Sequence, residues 1–251
     1  QAAIDFAKRY ATLAREMAKE ERDEKRKREL LKIAEVCDWV PGNPARTLHE
    51  AMQSDFFCNV IARVIETHAQ GYGDRVDVLF NPYYQKDKAE GRVTREEAVE
   101  LMQCLHLKLA ERGHLNAPEA MGIYIGLGQV HDINIGGVTP TGDDATNEFS
   151  FIVLDSAKEL APLGEPTIAL RYHSKINPEL VDKAIDVIHT GTGYPALFND
   201  SVIIPMLVES GASIEEARNY GIWACVSPAI VGKANRTCRP NIGSLSAAKC
   251  L

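Results

Sequence analysis

Tyr220-Gly-Ile-Trp-Ala-Cys-Val-Ser-Pro-Ala-Ile-Val-Gly-Lys233 is a short apolar run that holds one cysteine, Cys225. Its β-branched and aromatic residues are interrupted by Ser227-Pro228, and the run closes at Gly232. Such a run, bounded by Pro and Gly, is typical of a short buried strand that ends in a tight loop. We therefore predict that Cys225 lies near the end of a strand, on a stiff turn. The alternative is a buried structural cysteine, because free cysteine is among the most buried residue types.

Two other blocks accompany this stretch, Ile133-Asn-Ile-Gly-Gly-Val-Thr-Pro-Thr-Gly-Asp-Asp-Ala-Thr-Asn-Glu-Phe-Ser150 and Gly193-Tyr-Pro-Ala-Leu-Phe-Asn-Asp200. With Ala224-Cys-Val-Ser-Pro228, they resemble three blocks of the glycyl radical enzymes, the superfamily of pyruvate formate-lyase. The blocks follow the order and rough spacing that the family shows, and a weak similarity extends through most of the chain. The cysteine block is similar to the cysteine loop of that family.

The pattern of elements predicts an α/β fold. Residues 1–120 carry mostly helical periodicity, and from about residue 123 strands alternate with helices. The resemblance implies a barrel of ten strands, built from two five-stranded halves and wrapped in helices, with the cysteine loop threaded into its centre. We therefore expect one continuous domain in which 1–120 forms the helical outer part and 121–251 forms a half-barrel with the cysteine loop.

Local signals place the individual elements. The capping box Thr94-Arg-Glu-Glu97 starts a helix, as do Asn177-Pro178 and the box Ser213-Ile-Glu-Glu216. We predict turns over 71–82, a helix capped by Asp143 or Asp144, and another capped at Asn199-Asp200, with Asp200 or Ser201 before its apolar run. The remaining predicted helices cover 2–38 and 48–68, and the predicted strands are Ile123–Gly126, Ile133–Gly136, Thr167–Tyr172 and Leu197–Asp200.

The family resemblance implies a radical role for Cys225. In that family a backbone glycine radical takes a hydrogen atom from the cysteine, and the resulting thiyl takes one from a small organic substrate. Transfer of a hydrogen atom requires close approach and a sealed site. Four apolar neighbours of the cysteine would supply such a collar: Trp223, Ala224, Val226 and Pro228.

Two departures from the family pattern narrow the expected reaction. Pyruvate formate-lyase has two adjacent cysteines, whereas residue 224 is Ala, so acyl transfer lacks its nucleophile. Dehydratases of the family have Glu two residues after the cysteine, whereas this chain has Ser227, and a serine hydroxyl is a poor base. We expect formation or cleavage of a C–C bond. The alternatives are a lyase, dehydratase or decarboxylase with another base, and an inactive binding or assembly homologue.

Five polar residues are candidates for substrate contact. His131 and Asp132 precede the Gly136-Gly137 pair, and Arg171 and His173 stand at the end of a predicted strand. Ser227 follows Cys225. For each histidine the competing interpretation is a hydrogen-bonded structural residue. A thiol enzyme with Cys225 as ionic nucleophile is disfavoured, because an apolar collar raises the pKa of a thiol.

The resemblance also implies partners and a missing segment. The family carries its radical glycine near the C-terminus in an Arg-Val-x-Gly-Tyr/Phe motif, which these 251 residues lack. We expect a C-terminally truncated piece that binds no cofactor itself. The radical would be installed by an activating enzyme that uses S-adenosylmethionine and an iron–sulfur cluster, and the resemblance implies a homodimer.

Composition excludes several classes of function. A net charge of −7 does not attract nucleic acid or an anionic membrane, and no apolar run approaches the roughly 20 residues of a membrane helix. The six cysteines form no CxxC pair, which predicts reduced thiols and a cytoplasmic protein. Cys104 and His106 stand two apart on a predicted helix and do not share a face, so we predict no metal site.

Overall fold

The computed structural model describes residues 1–61, 74–111, 132–223 and 226–233. These residues form an α/β structure with nine helices, a parallel sheet and a separate hairpin. No helix among them is long and apolar enough to cross a membrane. The predicted strand Ile123–Gly126 lies outside the described residues, and the ten-stranded barrel stays a prediction.

The first two helices form a pair: α1 spans Ala2–Glu20 and α2 spans Glu24–Trp39. A row of four alanines lets α1 approach its neighbours closely, and all four are buried: Ala7, Ala11, Ala14 and Ala18. The continuous helix predicted over 2–38 is wrong at 21–23. There the side chain of Asp23 accepts a hydrogen bond from the Lys25 amide and starts a new helix.

The next three helices frame the main core. Helix α3 spans Leu48–Val60, α4 spans Val76–Ala89, and α5 spans Arg95–Ala110. The capping box at Thr94 is confirmed. The predicted turns over 71–82 are wrong from Val76 onward, because α4 continues through Pro82. A proline inside a helix costs about 3 kcal/mol, and burial of large side chains such as Phe80 and Tyr84 offsets that cost.

Four parallel strands form the sheet in the order β1-β2-β3-β4. They are β1 Asp74–Arg75, β2 Asp132–Gly136, β3 Thr167–Tyr172 and β4 Ala196–Asn199. The last three confirm predicted strands. Helices α6 (Glu148–Glu159), α7 (Pro178–Ile188), α8 (Asp200–Glu209) and α9 (Ile214–Arg218) follow in the second half of the chain.

The structure corrects the predicted cap of α6 and narrows that of α8. Asn147, rather than Asp143 or Asp144, caps α6 and accepts hydrogen bonds from the amides of Phe149 and Ser150. Asn199, the first residue of the predicted Asn199-Asp200 pair, caps α8. In both places several Asx residues stand close together, and local capping preference does not separate them.

One face of the sheet, here called the outer face, packs into the main core. Its side chains from β2 and β3 are Ile133, Ile135, Ile168 and Leu170, all of them buried. They join a cluster that also takes side chains from α3 to α7. The opposite, inner face carries Ala169, which belongs to a different cluster with Tyr220 and Ile222. This second cluster is where the cysteine stretch meets the sheet.

Candidate active site

A β-hairpin carries the cysteine stretch. Strand β5 (Tyr220–Trp223) confirms the predicted buried strand, and it pairs antiparallel with β6 (Ser227–Ile230), which the sequence reading did not anticipate. Trp223 lies opposite Ser227, so residues 224–226 connect the two strands. Ala224 and Cys225 lie outside the described residues. Val226 is exposed, whereas all of β5 is buried.

Asn134 on β2 forms two hydrogen bonds with the backbone of β5. Its side-chain nitrogen donates to the Ile222 carbonyl oxygen at 3.0 Å, and its side-chain oxygen accepts from the Ile222 amide at 2.6 Å. Reversing the carboxamide would oppose donor to donor and acceptor to acceptor, so these partners fix its orientation. Asn134 is fully buried. It therefore replaces, with one side chain, the pair of bonds that a neighbouring strand would make.

Arg171 on β3 binds the beginning of β5. Its guanidinium donates to the carbonyl oxygens of Tyr220 at 2.8 Å and Arg218 at 3.0 Å. It also pairs with Asp200 through two bonds of 3.0 and 2.8 Å, and it stacks 3.8 Å from the centroid of the Tyr220 ring. The Tyr220 hydroxyl completes the network by donating to Asp200 at 2.7 Å. Burial is the main cause that raises the pKa of Tyr220.

The two glycines of the Ile133–Ser150 block make room for this network. Gly137 has φ +73°, and a Cβ placed there would lie 2.6 Å from Cζ of Arg171. Gly136 has φ +71°, and a Cβ there would meet the Arg171 carbonyl oxygen at 3.1 Å. The pair therefore serves close packing against β3.

Arg75 and Asp77 extend the buried polar layer to β1 and α4. Arg75 donates to the Asn219 side chain at 3.2 Å and to the Gly136 carbonyl oxygen at 3.0 Å. Burial, together with the nearby Arg171 charge, lowers the pKa of Arg75 to about 10. Asp77 accepts from the Gly136 amide and the Ser150 hydroxyl, both at 2.7 Å. Burial raises the pKa of Asp77.

His173 lies at the end of β3 and is held by Asp144. Its Nε2 is 3.2 Å from a carboxylate oxygen of Asp144, and its Nδ1 accepts from the Lys175 amide at 3.3 Å. Because Nδ1 is an acceptor, Nε2 carries the proton and donates to Asp144. Burial raises the pKa of Asp144, but bonds from Thr146, Asn177 and His173 outweigh it, so the net pKa is lowered.

The predicted substrate contacts are only partly brought together. Arg171 lies against the hairpin with its charge paired inside the protein, and His173 lies at the end of the same strand. Ser227 starts β6 and is partly buried. Asp132 starts β2, but its side chain lies outside the described residues, as does all of His131. The predicted substrate roles of these five residues stay predictions.

The sequence reading missed Asn134, Asp200, Tyr220 and Arg75 as parts of this network. One signal was present: Asn134 is a polar residue between Ile133 and Ile135 in a short strand block. No group of three metal-ligating side chains lies together among residues 1–61, 74–111, 132–223 and 226–233.

Comparison with known proteins identifies the family. The family model "Pyruvate formate lyase-like" matches residues 1–251. The chain belongs to the pyruvate formate lyase-like family, that of the glycyl radical enzymes. Isethionate sulfite-lyase of Nitratidesulfovibrio vulgaris is 40% identical over 226 residues, which cover 89% of this chain and 27% of that protein. This chain therefore spans little more than a quarter of that relative.

Solved structures confirm the α/β fold. A structure described for 1,2-propanediol dehydration in Roseburia inulinivorans superposes with a TM-score of 0.87 at 39% identity, covering 91% of this chain and 29% of the other. A glycyl radical enzyme from Archaeoglobus fulgidus gives a TM-score of 0.84 at 30% identity, with 92% and 30% covered. Lyases and dehydratases are thus both represented among the relatives of this chain.

Proposed function

We propose that this chain supplies the cysteine-bearing part of a glycyl radical enzyme of the lyase or dehydratase class. Cys225 is the proposed hydrogen-atom carrier. The glycine radical, on a segment beyond these residues, takes the hydrogen atom of the Cys225 thiol, so that a glycine C–H bond forms and the S–H bond breaks. The thiyl radical then takes a hydrogen atom from a carbon of a small organic substrate, and the thiol is restored.

The observation that carries this proposal is the hairpin. Its strand β5, which ends two residues before Cys225, is buried and bound to the sheet through Asn134 and Arg171. A fixed approach distance is the requirement of hydrogen-atom transfer, and a rigid β5 supplies a fixed starting point for residues 224–226. A structural cysteine alone would not explain so many buried polar groups on the backbone beside it.

Ser227 bears on the type of reaction. Ser227 carries a hydroxyl where a carboxylate would be the base, and a serine hydroxyl is a far weaker base than a carboxylate, so removal of a proton from a substrate hydroxyl by this residue is disfavoured. We therefore favour a bond-cleaving or bond-forming step at carbon over base-assisted dehydration. The proposed substrate contacts remain His131, Asp132, Arg171, His173 and Ser227.

The partners follow from the same proposal. The full-length protein would act with an activating enzyme that uses S-adenosylmethionine and an iron–sulfur cluster, and would form a homodimer. This chain itself would bind no resident cofactor.

The test uses the full-length protein, produced without oxygen together with its activating enzyme. We expect an electron spin resonance signal of a glycine radical in both the wild type and Cys225→Ala, and turnover only in the wild type. Cys104→Ala, at an exposed cysteine of α5, is the control and should keep both signal and turnover. Turnover by Cys225→Ala would overturn the proposal, and absence of the radical in the wild type would favour an inactive binding homologue.

A further inference from the structure

The β5 backbone is bound in an unusual way. Alternate residues of an antiparallel strand direct their N–H and C=O groups to opposite edges. The amide of Val231 in the segment after β6 donates to the Asn219 carbonyl oxygen, which shows that residue 219 faces its partner strand. The alternate residues Arg218, Tyr220 and Ile222 direct their carbonyl groups to the other edge, where all three accept hydrogen bonds from side chains of the sheet. Side chains thus take the place of a third strand.

Pro228 fits this arrangement. It lies opposite Ile222 and has no N–H to donate. The N–H group of Ile222 donates its hydrogen bond to Asn134 rather than to β6. The β6 strand therefore does not fix Ile222, and Asn134 holds both of its backbone groups.

Of the two sheet side chains that bond to the backbone of residues 218–222, Asn134 holds the residue nearer in sequence to Cys225. Ile222 precedes Cys225 by three residues, whereas Arg171 binds Tyr220 and Arg218, five and seven residues away. Arg171 fixes where β5 begins, and Asn134 fixes where it ends. The register of the sheet fixes the position of Asn134 along β2, where it lies opposite Arg75 on one side and Ala169 on the other.

We infer that Asn134 is a positioning residue for the radical step. Through its two hydrogen bonds to the Ile222 backbone, its carboxamide sets the distance between the Cys225 sulfur and its hydrogen-atom partners. The inference rests on the proposed function. It goes beyond that function because Asn134 is not among the proposed substrate contacts and acts through the β5 backbone. Loss of these two hydrogen bonds would leave a foldable protein in which the distance between the Cys225 sulfur and its hydrogen-atom partners is longer or more variable.

The test compares turnover per glycine radical, counted by electron spin resonance, in the activated full-length protein. We expect Asn134→Leu to keep the radical and to lower kcat per radical ~10- to 100-fold, since misplacement by about 1 Å can have an effect of that size. KM should change little, because Asn134 makes no proposed substrate contact. Asn134→Ser, which is smaller and polar, provides a second variant if Asn134→Leu does not fold, with a similar loss expected.

A matched control separates positioning from stability. Asn59 on α3 is also buried and bonds within its own helix, to the Asp55 carbonyl oxygen. Asn59→Leu should keep kcat per radical within about twofold of wild type. Unchanged kcat per radical in folded Asn134→Leu or Asn134→Ser would overturn the inference. Cys225→Ala, measured in parallel, separates the two claims: its activity would defeat the proposed function, whereas an inactive Cys225→Ala with a fully active Asn134→Leu would defeat only the positioning role.

Discussion

In β2 and β3 both faces of the parallel sheet are buried, yet their side chains differ in kind. On the outer face, Ile133 and Ile135 pack into the main core. On the inner face, Asn134 and Arg171 bond to the backbone of β5. In the sequence Asp132-Ile-Asn-Ile-Gly136, apolar and polar residues alternate because successive side chains of a strand point to opposite faces.

This difference shows how one short strand serves two purposes. Apolar packing stabilises without direction, so the outer face holds the sheet but does not fix the register of a neighbour. Hydrogen bonds have preferred distances and angles, so the inner face fixes which backbone group of β5 lies where. Buried polar groups need hydrogen-bond partners, and the backbone of residues 218–222 supplies partners for Asn134 and Arg171.

The largest effect should come from the buried ion pair of the inner face. Arg171→Met would leave the Asp200 carboxylate without its cation, and both side chains are almost fully buried. We expect a loss of about 3–5 kcal/mol in the free energy of unfolding, measured by urea denaturation of the full-length protein.

Two further variants test whether the effect of Arg171→Met comes from the buried charge. The double variant Arg171→Met/Asp200→Leu should recover part of the loss, since no buried charge then remains. Lys32→Met, which removes the exposed Lys32–Glu35 pair of α2, should cost at most about 1 kcal/mol. An effect of Arg171→Met no larger than that of Lys32→Met would contradict the view that the inner face is a tightly coupled network.

A second experiment adds volume to the inner face. Gly137→Ala would place a methyl group 2.6 Å from Cζ of Arg171, in addition to the strain of a positive φ. We expect a loss of about 2–4 kcal/mol in stability. Gly91→Ala is the matched control, because Gly91 has φ +69° and nothing within 4 Å of the added carbon. Equal losses in the two variants would show that Arg171 can move aside.

The smallest effect should come from the outer face. Ile135→Val removes one methylene from the main core and should cost about 1 kcal/mol. Because Ile135 does not touch β5, kcat per radical should stay at the wild-type level in the activated protein. A fall in kcat per radical comparable with that of Asn134→Leu would break the distinction between the two faces.

Most of the fold follows from local sequence signals. The strands Thr167–Tyr172 and Ile133–Gly136 and the boxes at Thr94 and Ser213 have patterns that depend only on neighbouring residues. Helix α4 was missed because its local sequence, with Asn81-Pro82, argues for a turn, and tertiary burial of Phe80 and Tyr84 outweighs it. Propensity alone cannot anticipate such an outcome.

The site was harder to predict than the fold. The cysteine stretch and its strand were visible in the sequence, but the side chains that bond to the β5 backbone stand 49 and 88 positions away along the chain. Only the folded sheet brings Asn134, Arg171 and Asp200 to the same hairpin. A polar residue inside an otherwise apolar strand is the one local sign that such a partner exists.

The most direct measurement of the central claim is hydrogen–deuterium exchange at the Ile222 amide, read by mass spectrometry with fragmentation, in the full-length protein. That amide donates to Asn134 and not to β6. We predict that Asn134→Leu accelerates its exchange at least about tenfold, while Ile135→Val, at the next position of the same strand, leaves it within about twofold. Equal protection of the Ile222 amide in wild type and Asn134→Leu would contradict the account, because β5 would then be held by something other than the inner face of the sheet.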